Sequence, residues 1–192
     1  NILLSGTRDL TLNIPTANPN NFGDPIVALN TLDGWSTVAP WTVPFSVEPA
    51  TTSVVAGQGF RWFEVALTGP GGAVTRVVRE LVTNTDYVVA KTTSDPKVVA
   101  IVPLKPLKQL TSYMAVVTNQ ASDANGNNAT PDQTYFLTQR TSPLCTGGVS
   151  TDPLLPNATA CALEPLRQLT NAQEAAAASA GVDRSKIVVS FV

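Results

Sequence analysis

The chain has 192 residues, 43% apolar and 14% charged, with a formal charge of −2. That balance excludes a disordered chain and, with no basic run, a nucleic-acid binder. It contains no histidine, which rules out a Ser-His-Asp triad, a Cys-His dyad and a His-ligated zinc or iron centre within this chain.

No apolar run approaches the ~18 residues of a transmembrane helix. No charged-then-apolar leader is present, so Asn1 reads as following a removed signal or a cut boundary. Fifteen Pro and twelve Gly punctuate short runs rich in Val, Thr and aromatics, an all-β pattern through about Thr141. Asp24-Pro25 is a helix start, with Asp as N-cap and Pro at the first helical position. It predicts a short helix over residues 26–32, ending in the turn Asp33-Gly34.

Residues 41–47 alternate, with Pro44 marking an edge strand or a bulge. Residues 60–68 (FRWFEVALT) and 73–82 (AVTRVVRELV) flank Gly69-Pro70-Gly71-Gly72 and read as a hairpin. Residues 87–91 and 98–103 form a second strand pair around Ser94-Asp95-Pro96. Residues 113–119 alternate, the polar cluster 123–128 turns the chain, and 134–138 (TYFLT) reads as a further strand. Residues 142–157 read as loop. Leu166, Leu169, Ala172, Ala176 and Ala180 recur at three- and four-residue steps and predict a helix over 163–180. Pro165 suits its first turn and Gly181 its stop. The apolar run 186–192 (KIVVSFV) predicts a strand covered on both faces. Because it halts mid-strand, the C-terminus reads as a cut end.

Cys145 and Cys161 are the two cysteines. Without His they make a poor metal site. A disulfide across their Gly/Pro-rich loop is preferred to two free thiols, and it implies an oxidising compartment. Gly34-Trp35-Ser36 and Gly148-Val149-Ser150 are half-matches to the serine-hydrolase elbow G-x-S-x-G, and both lack the second Gly. Ser94-Asp95-Pro96-Lys97 matches S-x-x-K, but a proline turn replaces the helix which that pair needs. Asp123, Asn125, Asn127 and Asp132 offer oxygen atoms for calcium, yet Gly126 stands at the fourth position and no Glu follows, so a β-turn is the simpler reading. Trp35, Trp41 and Trp62 form either a sugar- or lipid-binding face or packing, and packing is preferred. The site expectation is no catalytic, cofactor or metal residue, with Cys145 and Cys161 as the disulfide.

Three runs together are familiar: 24–45 (DPIVALNTLDGWSTVAPWTVPF), 99–118 (VAIVPLKPLKQLTSYMAVVT) followed by Asp123-Ala-Asn-Gly-Asn127, and 163–192. The chain resembles the N-terminal domain of bacterial extracellular, virulence-factor-type lipases over nearly its whole length. The resemblance implies an exported protein, secreted or on the outer-membrane surface, with a lipid anchor upstream of Asn1 in some members. It also implies an α/β-hydrolase domain beyond this segment that carries the G-x-S-x-G serine. No catalytic residue of the family falls on this segment. The Cys145/Cys161 pair has no match in the family pattern.

The expected fold is mainly β: an Ig-like β-sandwich of roughly seven to nine strands with a short early helix and one longer helix near the C-terminus. Residues 1–141 form the sandwich. Residues 142–192 add the clipped loop, helix and final strand to the same domain. The expected function is a non-catalytic module of a secreted lipase or esterase, with no cofactor. Its partners are the downstream hydrolase domain and a lipid or cell surface. The rival is a stand-alone adhesion or carbohydrate-binding module. A third reading is an enzyme running on carboxylates such as Glu64 and Glu80.

Overall fold

A computed structural model describes residues 11, 12, 14–32 and 34–192. Asp33 of the expected early turn and Asn1 lie outside the described residues. Helix α1 (Pro25–Leu29) starts as its sequence dictates: the Asp24 carboxylate accepts from the Ile26 N–H, and Pro25 fills the first turn. Asn30 ties this segment to itself, exchanging hydrogen bonds with the backbone of Ile14 at 2.8 and 2.9 Å.

Strands β1 (Trp41–Pro44), β4 (Tyr87–Lys91) and β5 (Val98–Pro103) make an antiparallel sheet in the order β1-β5-β4. Pro44 lies on an edge strand, where its missing N–H breaks no central ladder. Strands β2 (Phe60–Leu67), β3 (Val74–Glu80), β6 (Ser112–Thr118) and β9 (Ile187–Phe191) make a second antiparallel sheet, in the order β3-β2-β6-β9. Both expected hairpins, β2–β3 and β4–β5, are present.

The central strands β2 and β6 of the four-stranded sheet are buried on both faces because that sheet is the middle layer. On one face Trp62, Tyr113 and Ala115 pack against Tyr87 and Ile101 of the other sheet, while Phe60 and Val117 meet Val43 and Val99. On its other face Phe63, Val65, Met114 and Val116 meet Tyr135, Ala176 and Ala177 of the helices. This explains the burial of β9 on both sides: Ile187 belongs to the helix-facing core, and Phe191 packs its ring 5.6 Å from Trp41.

Four expectations are corrected. Residues 134–138 are not a strand; Gln133–Thr138 is helix α2. The Asp132 carboxylate accepts from the Tyr135 N–H at 2.8 Å, and this cap, with burial of Tyr135, overrides the β-propensity of TYFLT. The loop 142–157 contains a small hairpin, β7 (Cys145–Thr146) and β8 (Val149–Ser150). Gly147 and Gly148 turn it at φ values of 60° and 83°, which disfavour other residues. Helix α3 runs Asn157–Ser179, starting six residues before Leu163, so Pro165 lies inside it rather than in its first turn.

The fourth correction concerns the buried face of α3. Of the predicted stripe, Ala176 is buried and Ala180 packs on the same core, but Leu166, Leu169 and Ala172 are only partly buried, while Arg167, Thr170 and Glu174 are buried. Two of these polar side chains face inward because they are hydrogen-bonded: Arg167 donates to the Arg140 and Thr141 carbonyls, and Glu174 accepts from Tyr135, Gln139 and Arg184. The helix does stop at Gly181 (φ 81°): its N–H bonds to Ala178 O and that of Val182 to Ala177 O, while Val182 enters the core.

Candidate functional site

None of the sequence-level catalytic candidates acquires catalytic geometry. Ser36 Oγ accepts from the backbone N–H groups of Val38 and Ala39, a local turn with no helix behind it. Ser150 Oγ donates to Asp152 O within the disulfide loop. Ser94 and Lys97 lie in the β4–β5 turn, where Asp95 accepts from the Lys97 N–H and Thr92 Oγ1 donates to Asp95 O. Asp123 accepts from the N–H groups of Asn125 and Asn127 and from Asn127 Nδ2, at 2.8–2.9 Å, so its oxygens close a turn. Those bonds, the Asn127 side chain first, hold its carboxyl below the usual range. Asp132 is spent capping α2.

The carboxylate pair Glu64 and Glu80 does not work as a pair. In the register, Phe63 stands opposite Glu80 and Glu64 opposite Arg79, so the two carboxylates point to opposite faces. Glu64 accepts from Lys108 and Arg79, and Lys108 leads in holding its pKa down. Glu80 takes a two-pronged bond from Arg61 at 2.7 and 2.6 Å. Glu64 is held as a carboxylate between two cations. Among the described residues, no group of three or more His, Cys, Asp or Glu is placed to hold a metal.

The tryptophans separate. Trp62 is fully buried, with Trp41 edge-on at 5.2 Å and Tyr87 edge-on at 5.7 Å. Trp35 alone is exposed, at 51%. It belongs to a stretch in which Phe22, Leu29, Leu32 and Val38 are also exposed. Sequence reasoning weighed the tryptophans and passed over these neighbours.

Two built features remain. Cys145 and Cys161 form a disulfide that ties β7 to the second turn of α3. Beside it the Arg167 guanidinium clamps Glu164 and pulls its carboxyl down to about 2, while Glu164 also accepts from the Leu144 N–H. The second feature is a groove of about 570 Å³ between β1 and β9. Val43, Phe45, Val117, Val189 and Phe191 give it an apolar floor, and Asp123, Asn127, Asn128 and Asp132 stand along its walls. No sequence pattern marked it, because its lining comes from separate stretches of the chain around Val43, Asp123 and Val189.

The family model described as bacterial virulence factor lipase N-terminal matches residues 2–191. The chain belongs to this lipase N-terminal family. No curated protein and no solved structure matched it. Among the described residues of this family member, no helix is long and apolar enough to cross a membrane.

Proposed function

We propose that this chain is the non-catalytic N-terminal module of a secreted bacterial lipase or esterase that cleaves carboxylic esters of lipids. Its work is to pack on the α/β-hydrolase domain and position it. The observation that carries this reading is the family match over residues 2–191 in a chain with no histidine. The disulfide supports export through an oxidising compartment. The exposed apolar stretch of Phe22, Leu29, Leu32, Trp35 and Val38 suits a contact between domains.

We read the fold as an Ig-type sandwich with helices added before its last strand. The orders β1-β5-β4 and β3-β2-β6-β9 correspond to B-E-D and C′-C-F-G of that architecture. Tyr113, near the start of β6, accepts a hydrogen bond from the Lys108 N–H five residues upstream, as a tyrosine corner does. Residues 142–192 belong to the same domain in this reading, because β9 completes the sheet through β6. A sugar-binding platform is less well supported, since Trp62 and Trp41 are used in packing.

Activity assays test the division of labour. The chain should not turn over p-nitrophenyl esters, and adding it to a separately produced hydrolase part should raise that part's activity or thermal survival. Serine-inhibitor-sensitive turnover by this chain alone would reject the reading.

A further inference from the structure

The β1/β9 groove has a chemistry of its own. Its floor is apolar, and its lining includes no Lys or Arg. Val47 on its rim is 59% exposed. Asp123 and Asp132 both line it. Their oxygens accept bonds from their own turn and from α2, so their charge is held in place rather than offered as a ligand.

A groove flanked by two sheet edges invites an added peptide strand, but neither edge is suited to one. The Phe45 N–H donates to Lys97 O, so the Val43 N–H also faces β5, and Thr42 and Pro44 face outward. Pro44 has no N–H, which leaves Thr42 as the one outward donor of β1. Along β9, Gln139 just past α2 covers the Ile187 carbonyl, donating to it at 2.9 Å. Proline and covering side chains are the ordinary ways of blunting a strand edge. The occupant is therefore one that needs apolar contact and few backbone hydrogen bonds.

We propose that this groove binds the acyl chain of an uncharged acylglycerol and rejects the fatty acid anion. The apolar floor takes the chain, and the polar side chains of Asn128 and Thr130 line the groove where glycerol hydroxyls would sit. The two carboxylates, with no cation to offset them, repel a ligand carboxylate. The ester class rests on the lipase-module reading; the exclusion of an anion rests on the groove alone. A module of this kind would hold substrate lipid and release product acid.

The test is methyl NMR on the 192-residue chain, titrated with monodecanoylglycerol and, separately, with sodium decanoate at pH 8. The expected result is saturable shifts at Val43, Val47, Val188 and Val189 with the ester, and affinity weaker by about tenfold or more for the anion. Val47→Lys, at an exposed position of the groove rim, should narrow that gap by strengthening decanoate binding relative to ester binding. Absence of shifts with the ester, equal affinity for both probes, or shifts confined to Ile26, Leu29 and Leu32 would each overturn the assignment. So would shifts that track protein concentration without ligand, which would mark a second copy as the occupant. If the ester fails but the chain still associates with the hydrolase part, the groove assignment falls and the module reading stands. If the ester binds but no association occurs, the reverse holds.

Discussion

Removing the Glu174 side chain should unlatch the helical layer from the sheet. Glu174 is fully buried on α3 and accepts from three side chains: Tyr135 Oη at 3.1 Å and Gln139 Nε2 at 2.8 Å on and beside α2, and Arg184 Nε at 2.8 Å before β9. Breaking a buried ion pair by deleting one partner costs about 3–5 kcal/mol. The lower end applies here. Arg184 is 36% exposed and can regain water, Tyr135 keeps Ser190, and Gln139 keeps the Ile187 carbonyl. Glu174→Ala should therefore cost about 3 kcal/mol, a fall in Tm of roughly 6–12 °C for a chain of this size. The assay is thermal unfolding followed by circular dichroism, with hydrogen exchange to locate the loss in α2. Arg184→Ala on that background should add less than it does alone, because the two share one interaction. A Tm within about 2 °C of the parent for Glu174→Ala would show that the polar network does not hold the layers together.

Reduction of Cys145–Cys161 frees a loop with a sequence separation of 16, and should cost about 3 kcal/mol in denaturant titrations with and without reductant. Leu169→Ala should cost only about 1 kcal/mol, since Leu169 is half-buried, whereas Phe63→Ala in the sheet–helix core should cost ~3–5 kcal/mol; equal losses would contradict the burial pattern. Glu164, held at about 2 by Arg167, is depressed on folding. Its contribution is thus complete above its ordinary value of about 4.5 and is lost as pH falls from there toward 2. Glu164→Gln should flatten the acid limb of a stability–pH curve, and an unchanged limb would refute this.

Most strands were legible because their signals were local. Phe60–Leu67 and Val74–Glu80 flank a glycine-rich turn, and Asp24-Pro25 carries a complete helix start. What misled was a choice between local signals that only tertiary contacts decide. TYFLT has strand propensity, but Asp132 caps it and the Tyr135 hydroxyl finds Glu174 and Ser190. Pro165 looked like a helix start, yet the helix continues through it, with Cys161 tethered by the disulfide one turn earlier. The apolar stripe of α3 pointed to Leu166 and Leu169, while the buried face is set by Arg167 and Glu174, which periodicity of apolar residues cannot reveal. The groove was illegible for a different reason. Val43 and Phe191 meet only through the packing of two sheets, and nothing in either run announces the other.

The central claim is that this chain serves a hydrolase domain by binding it. The direct measurement is calorimetric titration of the 192-residue chain with the separately produced hydrolase part of the same protein. The account predicts saturable one-to-one association, weakened when Leu29 and Trp35, both exposed, are changed to Ser. No association, together with full activity and stability of the hydrolase part alone, would contradict it.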